Sequence, residues 1–375
     1  MSILRPFLLR VIRHGRLTVV DPDGHAEHFG EPAPGFPEVA VRFATRRAMR
    51  RVILDPRLGA AEAFMDGEME LTDGDVMALI GLLPAQAQQE LMISQYMFNG
   101  LLLNPAYAGS HPYTSASLLH RSQWVGMEGA PRTNLIGIDG PLLDGKMGVG
   151  FTFQHDMIGV SRDMEMAANY AYRIRTGQFG RLAFGLKAGL SLYSANLGDL
   201  TYWDAQDALY RNNISNAPVG KFGFGIYWNN EHSYIGLSIP TLYAADGKLT
   251  VGMAGSPDHY FTRHYYVNAG HVLELDENFD LKPNVLVKFQ PQAPPEVDLN
   301  LNLLFKQRFW LGAGYRTGDG IVGMVEFQVN HMFRAGYAYD MNTSQLRHYN
   351  GGSHEVMLGI DLGREPIMIK NPRFF

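Results

Sequence analysis

The chain has 375 residues, a formal net charge of -5 and an isoelectric point near 6.2, with 18% charged residues and no cysteine. That balance offers no basic footprint for nucleic acid, and the missing thiols exclude disulfide frameworks, thiolate zinc sites and cysteine nucleophiles. The excesses are 41 Gly, 18 Tyr and 21 Phe, which suit strands and turns. No apolar run reaches the ~18 residues of a spanning helix, so any membrane crossing must be by strands.

Residues 1–83 predict a small α+β domain. FLLRVIRHGRLTVV starts as a helix and runs into a strand, Asp21-Pro22-Asp23-Gly24 turns the chain, and the return passes through His28 and Phe29, a hairpin signal. EVAVRF is a second strand, RRAMRRVILD a helix, and AAEAFMDGEMELTDGDVMALIGLL an acidic, helix-forming close. Glu62, Asp66, Glu68, Glu70, Asp73 and Asp75 do not have the spacing of a calcium loop, and His14, His25 and His28 lack a fourth ligand, so no metal is expected. HGRLTVVDPDG followed by DPRLGAAEAFMDGEMELTDGD resembles the N-terminal domain of cyclopropane-fatty-acyl-phospholipid synthases. The chemistry of that family needs a Gly-rich strand-to-helix loop for S-adenosylmethionine. The nearest candidate, GKFGFG at Gly220–Gly225, falls inside an alternating strand. The resemblance therefore implies a lipid-facing accessory domain, with no cofactor and no methyl transfer.

Residues 84–116 form a junction. MALIGLLPAQAQQ, from Met77 to Gln89, resembles the end of a signal peptide with an Ala85-Gln86-Ala87 site, but TDGD stands where a basic start belongs. Two accounts fit: the apolar run ends the last helix of the first module, or a secreted barrel has been joined behind a cytoplasmic-type domain. The second is favoured, and it predicts that the full chain reaches the outer membrane only if cut near Ala87.

SQYMFNGLLLNPAYAGS, from Ser94 to Ser110, is an ordered plug of aromatic and turn residues, with Asn99 and Asn104-Pro105 bracketing an apolar run. RSQWVGMEGAPRT follows from Arg121 to Thr133. These motifs, with LKPNVLVKF, VDLNLNLLFKQRFWLGAGYRTGD, GYAYD, TSQLRHYNGGSHEVMLG and the terminal NPRFF, resemble the PorP/SprF family of type IX secretion system outer-membrane proteins over about residues 88–375. The resemblance marks Gln95, Tyr96, Phe98, Asn99, Asn104, Pro105, Ala106, Tyr107 and Gly109, then Gln123, Trp124, Gly129, Pro131 and Arg132, as structural or partner-binding positions. The family usually has Pro after QYMFN. Here Gly100 stands there and is expected to loosen the turn.

From residue 117 to 375 the chain breaks into about fourteen segments of roughly ten residues, the length of tilted membrane strands. In RLAFGLKAGLSLY, Leu182, Phe184, Leu186, Ala188, Leu190 and Leu192 alternate with Ala183, Gly185, Lys187, Gly189 and Ser191. FDLKPNVLVKFQ and EVDLNLNLLFK repeat this split. The predicted fold is all-β, an up-and-down antiparallel outer-membrane β-barrel behind a small α+β domain. A soluble barrel of that size would enclose a void lined by leucines, so the apolar face is assigned to lipid and the polar face to a wet lumen. Lys187, Lys288, Glu296, Asp298, Lys306 and Arg316 are expected on the lumen wall, and Trp124, Trp203, Trp228, Trp310 and Tyr339 suit interfacial girdles. Asp199, Asp204 and Asp207, with Tyr202 and Trp203, occupy the longest irregular stretch. His264 and His271 point to opposite strand faces and make no metal site with His259.

No triad-like arrangement marks an enzyme. The resemblance implies a barrel that scaffolds export or anchoring of cell-surface proteins within the secretion and gliding apparatus, with membrane lipid, other secretion-system proteins and secreted surface proteins as partners. A passive porin, suggested by the polar lumen, and a lipid-modifying accessory role, suggested by residues 1–83 alone, stay open.

Overall fold

The computed structural model describes residues 15–32, 38–54, 59–74, 92–177, 179–196, 214–246, 251–252, 263–290, 295–343 and 349–363, with isolated positions at 5, 8, 12 and 347. The signal-like junction at 84–91, the loop carrying Asp199 to Asp207 and Trp203, and His259 lie outside these residues. The chain divides into two compact units, one drawn mainly from Met1–Glu90 and the other beginning at Leu91.

In the first unit β1 (Arg16–Val20) and β2 (Ala26–Phe29) form the expected hairpin. Asp21 Oδ1 accepts the turn N–H groups of Asp23 and His25 at 3.0 and 2.9 Å, and Gly24 takes φ +85°, a conformation that disfavours a side chain. β3 (Glu38–Phe43) lies parallel to β1, and the helix Arg46–Leu54 follows, with Thr45 Oγ1 accepting the Ala48 N–H at 3.1 Å. Its apolar residues Ala48 and Met49 join Val19, Phe29, Val39, Val41 and Phe43 in one core.

The acidic stretch differs from expectation. The helix Gly59–Met65 stops where the Gly67 and Glu68 N–H groups turn back to the carbonyls of Phe64 and Ala63, with Gly67 left-handed at φ +69°. MELTD then forms β4 (Met69–Asp73), antiparallel to β3, because Met69 and Leu71 alternate onto the core. The sheet order is β2-β1-β3-β4. Asp21, Asp23 and His25 bring ligand-type atoms within 4.8 Å of one another. The turn itself accounts for them: Asp21 caps it, and Asp23 meets Arg46 Nη2 at 2.5 Å.

The second unit is a closed barrel. Its strands are β5 (Thr114–Ser122), β6 (Arg132–Leu142), β7 (Met147–Ile158), β8 (Ser161–Thr176), β9 (Gly180–Ala195), β10 (Ile214–Asn229), β11 (Ser233–Asp246), β12 (Val251–Gly252), β13 (Tyr265–His271), β14 (Leu273–Glu274), β15 (Phe279–Phe289), β16 (Glu296–Phe305), β17 (Phe309–Arg316), β18 (Gly320–Gln328), β19 (Phe333–Asn342) and β20 (Ser353–Leu362). Successive strands pair antiparallel, β12 is a short addition to the end of β11, and β13 and β14 together make one stave. β20 returns to β5, with Glu355 opposite Arg121, which closes a 14-strand ring without a bare edge.

Burial decides what solvent the barrel meets. Leu186, Leu299, Leu301 and Leu358 are 59%, 53%, 50% and 53% exposed, while Asn302 and Glu355 are 0% exposed and Arg316 is 2% exposed. An exterior that is apolar over an interior that is charged is the reverse of a soluble protein and fits lipid outside. Among the described residues no helix is long and apolar enough to cross a membrane. Leu301→Arg is therefore expected to destabilise the folded barrel by about 2–4 kcal/mol, the cost of a cation on a mid-membrane lipid face, measured by urea unfolding in lipid vesicles.

Two residues sit away from their expected places. Lys306 is not on the lumen wall: it is an exposed residue of the turn after β16, with φ +48° and its ammonium 5.2 Å from the Phe305 ring centre. Trp310 is not in a girdle, since it shares inward parity with Arg316 and is 2% exposed inside the barrel. Nor is the lumen simply wet. Inward-facing Leu119, Leu135, Leu286 and Met357 are buried, in one core with Tyr96, Met97 and Leu103 of the segment that precedes β5.

Candidate functional site: the luminal plug

That segment, Ile93–Tyr113, is not a strand. It forms three single turns of 3₁₀-helix, Tyr96–Phe98, Gly100–Leu102 and Pro105–Tyr107, because Asn, Gly and Pro interrupt every longer helical run. Its polar groups bond to the barrel wall on many sides, and its apolar side chains pack into both interior cores. Contacts reach β5 to β11, β16, β17, β19 and β20.

At one end the chain is clamped by charge. Glu355 accepts the backbone N–H groups of Ser94 and Gln95 at 2.9 and 2.8 Å, and the Ser94 hydroxyl reaches both carboxylate oxygens of Asp340 at 2.8 and 2.7 Å. Arg121 spans the two acids, 2.6 Å from Asp340 and 3.3 Å from Glu355. Arg316 extends the network, with its Nε 2.8 Å from Asp298 and its Nη2 donating to the Ile93 carbonyl at 3.3 Å. Lys288 joins through Glu296 at 2.7 Å. Each charge named in this network has an opposite partner, the condition under which burial is tolerated.

In the middle Asn104 is the pivot. Its Oδ1 accepts the Ala106 N–H at 2.9 Å and caps the last turn, with Pro105 at the first helical position. Its Nδ2 donates to the carbonyls of Ile226 at 2.9 Å and Leu237 at 3.3 Å. Asn104→Ala should therefore cost about 1–3 kcal/mol, because two wall acceptors and one plug N–H lose a buried partner; the midpoint of thermal unfolding would report it.

At the far end the Gly109 N–H donates to Asp139 at 2.7 Å, and the Arg173 guanidinium donates to the Ala108 carbonyl. Arg334 holds the Phe98 carbonyl at 3.2 Å, and Phe98 meets Trp310 edge-on at 5.9 Å. Wall glycines make room for this path. A Cβ on Gly148 would run into the Ala108 carbonyl, and one on Gly185 into the Ala106 amide. Gly100 has a similar use. Its Cα lies under the Tyr107 ring, where a Cβ would come within 2.5 Å, so glycine there tightens the plug instead of loosening a turn.

Residues 85–360 match the family described as type IX secretion system membrane protein PorP/SprF. The chain belongs to this family. It is thus an outer-membrane PorP/SprF barrel, and the match includes both the plug and the staves that hold it. No curated protein matches the chain. Solved structures similar to it include a deletion mutant of the TodX monoaromatic hydrocarbon channel, at 8% identity over 74% of this chain and 96% of that one, with a TM-score of 0.40. The Ralstonia pickettii toluene transporter TbuX is 8% identical over 72% and 93%, TM-score 0.42, and Acinetobacter baumannii Omp33 is 8% identical over 67% and 99%, TM-score 0.37.

The residues singled out by the PorP/SprF motifs separate into two places. Gln95, Tyr96, Phe98, Asn99, Asn104, Pro105, Ala106, Tyr107 and Gly109 line the plug, where Tyr96 Oη accepts from Asn300 at 2.7 Å and Asn99 donates to Ser117 at 2.5 Å. Gln123, Trp124, Gly129 and Pro131 form the β5–β6 loop, and Arg132 opens β6. This loop is tied to the loop before β20: the Trp124 N–H donates to Ser353 Oγ at 3.3 Å, and Val125 and Gly351–Gly352 exchange backbone bonds at 2.9 and 2.7 Å. Sequence reading missed the clamp made by Arg121, Asp340 and Glu355. Their signal was charge at inward parity: Arg121 in β5, Asp340 with Arg334 in β19, and Glu355 with Asp361 in β20.

Proposed function

We propose that this PorP/SprF barrel works as a plugged, non-enzymatic scaffold of the type IX machinery, supporting export or anchoring of cell-surface proteins through its loops and other secretion components. The observation that carries the proposal is the occupied lumen. A segment bonded to the wall at both ends and in the middle leaves binding surfaces, not a bulk channel, as the means of action, which weighs against the passive porin. The test is a deletion strain complemented with the intact gene or with a barrel lacking Ile93–Gly109. Intact protein should restore surface display of secreted substrates and co-purify with other secretion components after detergent extraction. Restoration of display by an intact barrel that purifies alone would argue against the scaffold.

For residues 1–83 the sequence resemblance to the cyclopropane-synthase N-terminal domain supports a lipid-associated accessory role without methyl transfer. In this proposal the chain has three parts: an accessory domain at 1–83, a junction at 84–116 that includes the plug and runs into the first residues of β5, and the barrel from 117. Mature protein beginning near Gln88 would show that the junction is cleaved.

A further inference from the structure

The two rims of the barrel are unlike. One carries only short turns, at 143–146, 177–179, 230–232, 275–278, 306–308 and 329–332, together with the start of β5 and the end of β20. The other carries every long connection, at 123–131, 196–213, 247–264 and 343–352. In outer-membrane barrels the short turns face the periplasm and the long loops the exterior.

The plug can be followed against this axis along β5. Ser94 meets Arg121, next to the long-loop end of the strand, Asn99 meets Ser117 in its middle, and Gly109 meets Asp139, which pairs with Ser115 at the short-turn end. The opposite wall shows the same direction. Ile93 and Ser94 are held by Arg316, the last residue of β17 before a long-loop-rim turn, whereas Ala108 is held by Arg173, near the short-turn end of β8. The chain thus descends through the lumen from the long-loop rim and begins β5 only after reaching the short-turn rim.

We propose that the amino-terminal end of the barrel unit, Met92–Ser94, lies at the cell-surface face, so that this end of the plug is reached from outside the cell and not from the periplasm. The proposal rests on the outer-membrane reading above. It puts the clamp of Arg121, Asp340 and Glu355 at the external mouth, beside the tied loops at Trp124–Val125 and Gly351–Gly352. An extracellular ligand that grips this end would therefore act directly on the clamp.

The experiment uses the full chain in cells whose fractionation places it in the outer membrane. A glycine–serine-flanked epitope is inserted between Gln88 and Gln89, another between Gly126 and Met127, and a third between Asp144 and Gly145. Antibody should bind the first two on intact cells and the third only after permeabilisation. Silence of the first epitope on intact cells, with the second one bound, overturns the inference. Binding of the third but not the second on intact cells overturns the rim assignment on which it depends. Because the chain has no cysteine, Met92→Cys provides a second reading if an insertion prevents assembly. Labelling by a membrane-impermeant maleimide on intact cells supports the proposal, and labelling confined to lysed cells overturns it. Absence of the unaltered protein from the outer membrane would count against the proposed function instead.

Discussion

Arg121→Met is expected to destabilise the folded barrel by about 3–5 kcal/mol, the cost of leaving buried charge without its partner. Arg121 is 2% exposed and stands between Asp340 and Glu355, so its loss leaves two acids facing each other beside the Ser94 and Gln95 amides. Arg316, 3.6 Å from Asp340, is already committed to Asp298 and Asp319 at 2.8 and 3.1 Å and cannot neutralise the pair alone. The urea midpoint of the heat-modifiable, folded form reports the change. Adding Asp340→Asn to Arg121→Met removes one stranded acid and should recover part of the loss, a non-additivity that a merely steric role for Arg121 would not produce. The clamped, amino-terminal end of the plug should loosen in the single variant, seen as faster proteolysis near Ile93.

How far the sequence reveals this arrangement depends on the range of each interaction. Face assignment in the barrel is local, since a strand must alternate, and Leu186 outside next to Lys187 inside follows from that alone. The same rule, carried through FWLGAGYR, would have put Trp310 inside with Arg316; composition, which associates Trp with membrane girdles, pointed the other way. Lys306 fails for a different reason, because alternation ends where the turn begins. MELTD reads as helix by composition and becomes a strand only because β3 offers it an edge. The plug was visible as a segment from its Asn, Pro and aromatic residues. What it would touch was not, for the clamp joins Ser94 to residues 246 and 261 positions away through barrel closure. Arg121 and Glu355 become partners only when β20 meets β5.

Gly185→Val tests whether the wall was carved for the plug. Gly185 faces the Ala106 amide so closely that even a Cβ does not fit, and Gly148 stands in the same relation to the Ala108 carbonyl. Neither obstacle is a flexible side-chain tip, so the plug backbone or the strand must shift. Overpacking of this kind costs about 1–3 kcal/mol, yet strand pairing of β9 with β8 and β10 does not depend on the residue's side chain, and a valine suits a strand. The expected result is a folded barrel whose plug is displaced. Planar bilayers should then show ion conductance where the unaltered protein shows none, and the Gly185→Val, Gly148→Val double variant should conduct more often than either alone. Removal of Ile93–Gly109 sets the upper limit, because a ring of fourteen strands is too wide for its remaining side chains to fill. Conductance by the unaltered protein equal to that of the deletion would mean that the plug does not seal the lumen. A Gly185→Val barrel as silent as the original would mean that the plug yields locally without leaving its path.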